Sequence, residues 1–178
     1  KLTNLVGEIS LKKREVISAE ISSKINNKND FSLSIKTNSR DEKVTNLFIE
    51  EPEPFIKNYK FIKGFTEGKL SYGSIEKNNE TKANLKIFDF KVQDVPVLAK
   101  LLTLASLQGI ADLLTGEGIR FNEFEMNYQS KQSLTNINEM YAIGPAISIL
   151  MEGYIDRNKL TSLRGTLVPA TTINKTIS

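Results

Sequence analysis

The chain has 178 residues, of which 39% are hydrophobic and 25% charged, and its formal net charge is +3. These values are ordinary for a soluble globular protein that is long enough to bury its own core. The lysines are scattered and do not interleave with aromatic residues, which argues against a nucleic-acid-binding protein. Cysteine and histidine are both absent, which excludes a disulfide framework, a thiolate metal site and the commonest general base.

The sequence starts at Lys1, without an initiator methionine or a signal peptide, and ends soon after a strand-like run. We therefore interpret the chain as one continuous fragment of a larger protein. Prolines interrupt the strand pattern at residue 52. We divide the fragment there into a β-meander segment, residues 1–51, and a second region, residues 52–178.

Apolar and polar residues alternate with period two through much of the chain, a pattern typical of half-buried β-strands. Polar turns separate the predicted strands. Residues 54–62 instead place apolar side chains at helical spacing, which predicts a short amphipathic helix that plugs the sheet. The predicted strands are residues 5–11, 15–25, 31–36, 44–50, 68–75, 83–92, 119–128, 133–143, 145–154 and 159–168.

One long helix, residues 95–115, is predicted between the sixth and seventh strands. Asp94 is expected to cap its N-terminus, and Pro96 fits the first turn, where a missing N–H removes no hydrogen bond. Gly116 and Gly118 are expected to supply the turn conformations that end the helix.

This predicted helix is unusually apolar, with twelve apolar residues among the eighteen from 97 to 114. Lys100, Gln108 and Asp112 interrupt it too often for a transmembrane span. A helix that is apolar almost all round is usually buried on several sides. The sequence therefore favours a core helix packed on the sheet, and leaves open a helix that also contacts an apolar ligand or a membrane surface.

About ten strands and two helices predict a mainly β, α+β fold. Successive strands are joined mostly by short polar links, whereas parallel pairing would need a crossover between every two strands. The sequence therefore predicts an antiparallel β meander.

The sequence contains no catalytic motif above background. Gly116 and Gly118 stand at a predicted helix end, whereas a phosphate-binding loop precedes a helix. Glu123 and Glu125 could form a carboxylate pair on one strand face, but a solvated strand face explains them better because nothing marks a partner acid. We therefore expect no enzyme, no metal site and no cofactor.

Four motifs occur in order over about 80 residues. The first two are Val-x-Asp-Val-Pro-x-Leu at residues 92–98 and Gly-x-Gly-Ile-x-Phe at residues 116–121. The others are Gly-x-Ile-Asp at residues 153–156 and Gly-Thr-Leu-Val-Pro-Ala at residues 165–170. In this combination the chain resembles the C-terminal region of AsmA-like, YhdP-type bacterial envelope proteins. Residues 65–68, Phe-Thr-Glu-Gly, resemble the glycine-rich start of a strand in this family. Two adjacent glycines are common there, and Glu67 replaces the first of them.

The resemblance implies a periplasmic segment of a protein that is anchored in the inner membrane. It implies a curled antiparallel meander that forms an apolar groove, capped by the long helix, in which phospholipid or another acyl lipid binds during transport between the two membranes. The other implied partners are the rest of the parent chain, through which it contacts the membrane, and other envelope proteins. The resemblance implies no catalytic residues. The inward strand positions that would line the groove are Ile17, Ile21, Phe31, Leu33, Ile35, Leu85, Ile87, Phe121, Ile147 and Ile149.

Two alternatives remain at this point, because the same residues would form the core of a closed β-sandwich. The chain could be a structural or docking module of the cell envelope that holds no lipid. It could also be an unrelated sandwich used for adhesion or assembly.

Overall fold

The computed structural model describes residues 1–57, 64–157 and 160–170, apart from the side chain of Val97. In these ranges one sheet of ten strands follows chain order, and every strand is antiparallel to its neighbours. The strands are β1 (Leu2–Lys12), β2 (Glu15–Ile25), β3 (Asn29–Thr37), β4 (Lys43–Ile49), β5 (Thr66–Lys77), β6 (Glu80–Val92), β7 (Ile119–Lys131), β8 (Leu134–Ile143), β9 (Ile147–Asp156) and β10 (Thr161–Pro169). The helices are α1 (Glu53–Ile56), α2 (Pro96–Leu104) and α3 (Gln108–Thr115).

The predicted antiparallel meander is confirmed. Tight hairpins join several of its strands, and their central residues have positive φ, as turns that match the strand twist require. At the β5–β6 turn, Asn78 and Asn79 have φ values of 51° and 60°. Strands β1 and β10 stand at opposite edges of the sheet, so the sheet is open.

The short helix predicted at residues 54–62 is observed only in part. Helix α1 is a single turn, and residues 58–62 of the prediction lie outside the described residues. The ring of Phe55 stacks on Phe31 of β3, with 5.8 Å between the centroids. Helix α1 therefore lies against the start of β3.

The prediction of one continuous helix over residues 95–115 is wrong, because the chain leaves the helix after Leu104. Ser106 adopts a left-handed conformation with φ 59° and donates its N–H to the Thr103 carbonyl. The Leu107 N–H donates to the Leu102 carbonyl at 2.8 Å. These two bonds form a Schellman motif, the usual C-terminal stop of a helix. The stop was missed because serine occupies a position that glycine or asparagine normally takes.

The termini of this helical segment follow the sequence prediction only in part. Pro96 stands in the first turn of α2, as expected, but Val95 is the N-cap and no side chain caps this end. The prediction that Asp94 caps the helix is therefore wrong. Gly116 is the C-cap of α3, and Gly118 has φ 88°.

The main core lies between α2, α3 and one end of the sheet. Leu102 and Leu114 are fully buried, and they pack with buried residues from four strands. Three aromatic rings stack through this core, with centroid separations of 5.6 Å and 5.5 Å. The buried residues of the cluster are Phe65, Ile87, Phe90, Val92, Leu102, Ala111, Leu114, Ile119, Phe121, Ala142 and Ile147.

The strands change phase where they enter this core. Ile87 and Phe90 both face the cluster, although regular alternation would place them on opposite faces. Asp89, between them, has φ 52°, and Gly68 on the neighbouring strand has φ 85°. A Cβ on Gly68 would lie 2.9 Å from the Phe90 Cβ, so only glycine fits there.

Truncation of the two nearby leucines on α2 should have very different effects. Leu102→Ala removes a side chain with 0% exposure and should cost about 2–5 kcal/mol of unfolding free energy. Leu104→Ala removes a side chain with 73% exposure and should cost about 0.5 kcal/mol or less. Urea unfolding followed by circular dichroism measures both. Equal losses would contradict the packing of α2 on the sheet.

Replacement of Ser106 by glycine should stabilise the protein. Glycine adopts the left-handed conformation without the steric cost that serine carries, so Ser106→Gly should add about 0.5–1 kcal/mol to the unfolding free energy. The same urea experiment measures the change, with Ser106→Ala as the control that keeps a Cβ. A loss of stability in the glycine variant would show that residues 105–107 prefer a continuous helix.

Candidate functional site

The candidate site is the face of the sheet that α2 and α3 cover at one end, which we call the apolar face. One cross-strand row on this face is apolar on eight successive strands, from β3 to β10. Its side chains are direct neighbours in the strand register. The row consists of Phe31, Ile49, Leu70, Ile87, Phe124, Ala142, Ile149 and Leu167.

A second row lies next to it, two residues further along each strand from the helices. It runs from β2 to β9 and contains aliphatic, methionine and tyrosine side chains, with a glycine at each end on β1 and β10. Its members are Ile21, Leu33, Leu47, Tyr72, Leu85, Met126, Met140 and Met151. The two rows together make a broad apolar band across the sheet.

An apolar cavity of about 440 Å³ opens on this band beside α2. Strands β6 to β10 supply one wall, and Val95, Leu98 and Leu101 supply the other. The residues that line it are almost all aliphatic, methionine or phenylalanine. A cavity of this size and character suits hydrocarbon rather than a polar ligand, because the described residues that line it place no buried polar group to bind one.

The structure brings nine of the ten predicted lining residues to the same face. Six of them lie in the two apolar rows, and four, including Leu85 and Ile87, line the cavity. Phe121 and Ile147 are 3% and 0% exposed and belong to the core beneath α2 and α3. Ile35 lies on the apolar face further from the helices, whereas Ile17 is the unpaired residue at a register shift between β1 and β2 and is 41% exposed. The six residues in the rows are Ile21, Phe31, Leu33, Leu85, Ile87 and Ile149.

Sequence reasoning missed the methionines of the second row and the α2 wall. Met126, Met140 and Met151 are directly paired across β7, β8 and β9 and all line the cavity. Each methionine occupies an apolar position in the alternating pattern of its own strand, which was a usable signal. That the three methionines are neighbours depends on the strand register. Methionine adapts its shape to irregular apolar partners, which suits a variable hydrocarbon ligand.

The opposite face, which we call the polar face, carries the carboxylate pair identified in the sequence. The Tyr141 hydroxyl lies 2.9 Å from a Glu123 carboxylate oxygen and 2.7 Å from one of Glu125, and it can donate to either. Glu125 also accepts a hydrogen bond from Asn84 and pairs with Lys86 at 3.0 Å. The hydrogen bond from Tyr141 contributes most to holding the pKa of Glu125 at about 2, below its ordinary value of 4.5.

The hydrogen bonds of this network stabilise the ionised form of the Glu125 carboxylate. A general acid needs a raised pKa, whereas the hydrogen bonds to Glu125 lower it. Within the described ranges, no group of three or more acidic side chains is placed to hold a metal ion. No helix in the same part of the chain is long and apolar enough to span a membrane.

The network should make stability fall in acid. Unfolded Glu125 takes up a proton near pH 4.5, whereas the folded carboxyl resists protonation to about pH 2, so its stabilising effect is present above pH 4.5 and lost towards pH 2. Urea unfolding measured between pH 7 and pH 2 gives the slope of stability against pH. Glu125→Gln and Tyr141→Phe should each flatten that slope between pH 4.5 and 2. An unchanged slope in both variants would show that the network is not formed in solution.

Compared with protein-family models, curated proteins and solved structures, the chain shows no significant match. The assignment of a function therefore depends on the residues and geometry of the chain itself.

Proposed function

We propose that the chain is a periplasmic segment of an AsmA-like protein that binds phospholipid acyl chains in an apolar groove. The groove is the apolar face, curled across the strands and partly closed by α2 and α3. It supports lipid transport between the inner and outer membranes, and the chain contacts the membrane through the rest of its inner-membrane-anchored parent. No catalytic step and no cofactor are part of this function.

The observation that carries the proposal is the continuity of the apolar face beyond its helical cover. The core cluster seals one end of this face, but half-buried Leu33 and Leu47 lie outside that cluster. Soluble proteins rarely leave a contiguous apolar surface uncovered without a partner. Acyl chains are one such partner, because they require apolar contact and no hydrogen bonds.

A row that is apolar on eight strands also offers a path. Burial of hydrocarbon is worth about 0.8 kcal/mol for each CH₂ group, and this gain is similar at each position along the row. A lipid could therefore move from strand to strand without crossing a polar barrier. Movement of this kind needs no chemical step from the protein.

The test is lipid binding by the purified chain and by a matched pair of variants on β9. Ile149 lines the cavity, whereas Leu150 points to the polar face and is 51% exposed. A carboxylate in the groove would be desolvated against acyl chains, so Ile149→Asp should weaken binding at least about tenfold, or 1.4 kcal/mol. Leu150→Asp should bind lipid as tightly as the unmodified chain does.

Native mass spectrometry detects co-purifying lipid, and transfer of fluorescent phospholipid from vesicles gives the affinity. Circular dichroism and melting temperatures must first show that both variants remain folded. The proposal would be rejected if the two variants bound lipid equally well. It would also be rejected if the unmodified chain neither carried nor took up phospholipid.

A structural or docking module of the envelope is the second candidate. The observation that favours it is the exposed, apolar edge strand β1, on which Leu5 and Leu11 are each 64% exposed. An edge strand of this kind can pair with another strand of the same assembly. If the unmodified chain failed to bind lipid, the structural or docking role would be the favoured function.

A further inference from the structure

The apolar face changes character along the strand direction. A third row, further from the helices, mixes apolar residues with Thr45, Ser74 and Tyr128. The Tyr128 hydroxyl lies 3.4 Å from the Tyr72 hydroxyl of the second row. The Tyr72 and Tyr128 hydroxyls therefore mark a boundary between the second and third rows, where polar atoms first appear on this face.

A fourth row, next to the hairpin turns, is polar on six successive strands, from β3 to β8. It continues the register of the other three rows and so lies on the same face. Lys43 and Glu76 form an ion pair at 3.1 Å, and the Ser130 and Thr135 hydroxyls are 3.0 Å apart. We call this row the polar rim; its members are Thr37, Lys43, Glu76, Thr81, Ser130 and Thr135.

The dimensions of this gradient match one leaflet of a bilayer. On β6, Ile87 in the first row and Thr81 in the polar rim are six residues apart, or about 20 Å along the strand. The hydrocarbon core of a bilayer is about 30 Å thick, so the acyl chains of one lipid span about 15 Å. Acyl chains that start near the Tyr72 and Tyr128 hydroxyls would therefore end under α2.

The opposite orientation is unfavourable. At the helical end, the face is sealed by Leu102, Leu114 and Phe121, all 3% exposed or less. A charged headgroup placed there would lose its hydration without gaining hydrogen-bond partners. At the rim, the side chains of Lys43 and Glu76 are 38% and 43% exposed, so a headgroup keeps contact with water.

We infer that a phospholipid binds lengthwise along the strands, with its headgroup at the polar rim and its acyl chains directed towards α2. The inference rests on the proposed function and adds to it an orientation and a headgroup position. It means that the rim hydroxyls and the Lys43–Glu76 pair contact the lipid headgroup, and that lipids move across the sheet with their long axes parallel to the strands.

Single tryptophan probes can test the orientation, because the chain contains no tryptophan. Thr81→Trp places the probe at the rim, and Phe124→Trp places it in the cavity with an aromatic side chain of similar shape. The ligand is phosphatidylcholine that carries a nitroxide quencher either on the headgroup or near the end of one acyl chain. Lys82→Trp, next to Thr81 but on the polar face, is the control.

The headgroup quencher should reduce fluorescence at least about threefold more in Thr81→Trp than in Phe124→Trp, because the two positions lie about 20 Å apart along the sheet. The acyl-chain quencher should give the reverse order, and both quenchers should act weakly on Lys82→Trp. Equal quenching of the rim and cavity probes, or the reversed order, would overturn the orientation and leave lipid binding intact. If neither the variants nor the unmodified chain took up lipid, both the orientation and the proposed function would be overturned.

Discussion

The cross-strand register of the sheet is the constraint on which the rest of this structure depends. From β3 to β7 the strands pair without a slip, so residues that are far apart in sequence become neighbours in straight rows. A shift of one residue on any strand would move its apolar side chains to the opposite face. Hairpin turns with positive φ, such as Asn78-Asn79, help to fix this register because they set the length of each connection.

The register produces more apolar surface than the described residues cover. Helices α2 and α3 bury one end of the apolar face, where the Phe65, Phe90 and Phe121 rings stack across the strands. The phase change at Asp89 makes that burial possible, because it turns Phe90 and Val92 towards the helices as well as Ile87. The remainder of the face has no comparable cover within the described residues. The proposed role in lipid binding follows from this imbalance.

The side chains on the two faces of the open sheet are stabilised in different ways. On the polar face, the Glu123, Glu125 and Tyr141 network and the cross-strand ion pairs satisfy polar side chains locally. On the apolar face, the rows pass from hydrocarbon at the helical end to charged side chains at the hairpin end. The gradient gives the face a direction along the strands, and an amphiphilic ligand would follow that direction.

The sequence by itself determined the local properties of the chain. Period-two alternation predicted ten strands and identified apolar positions such as Leu85, Ile87 and Ile149, because alternation is a property of a single strand. The short links between successive strands predicted their antiparallel order. The break at Ser106 could not be predicted, since serine occupies a left-handed position that glycine or asparagine normally takes. The same applies to Asp94, which the sequence placed as a cap and the structure leaves outside α2.

Only the tertiary structure decided which of these residues meet. The adjacency of Met126, Met140 and Met151, the cavity beside α2 and the polar rim all depend on strand register. Register is set by interactions between strands that are distant in sequence, and no pattern within one strand encodes it. For this reason the sequence showed which positions face inward, whereas the fold alone arranged them into an apolar band with a polar end.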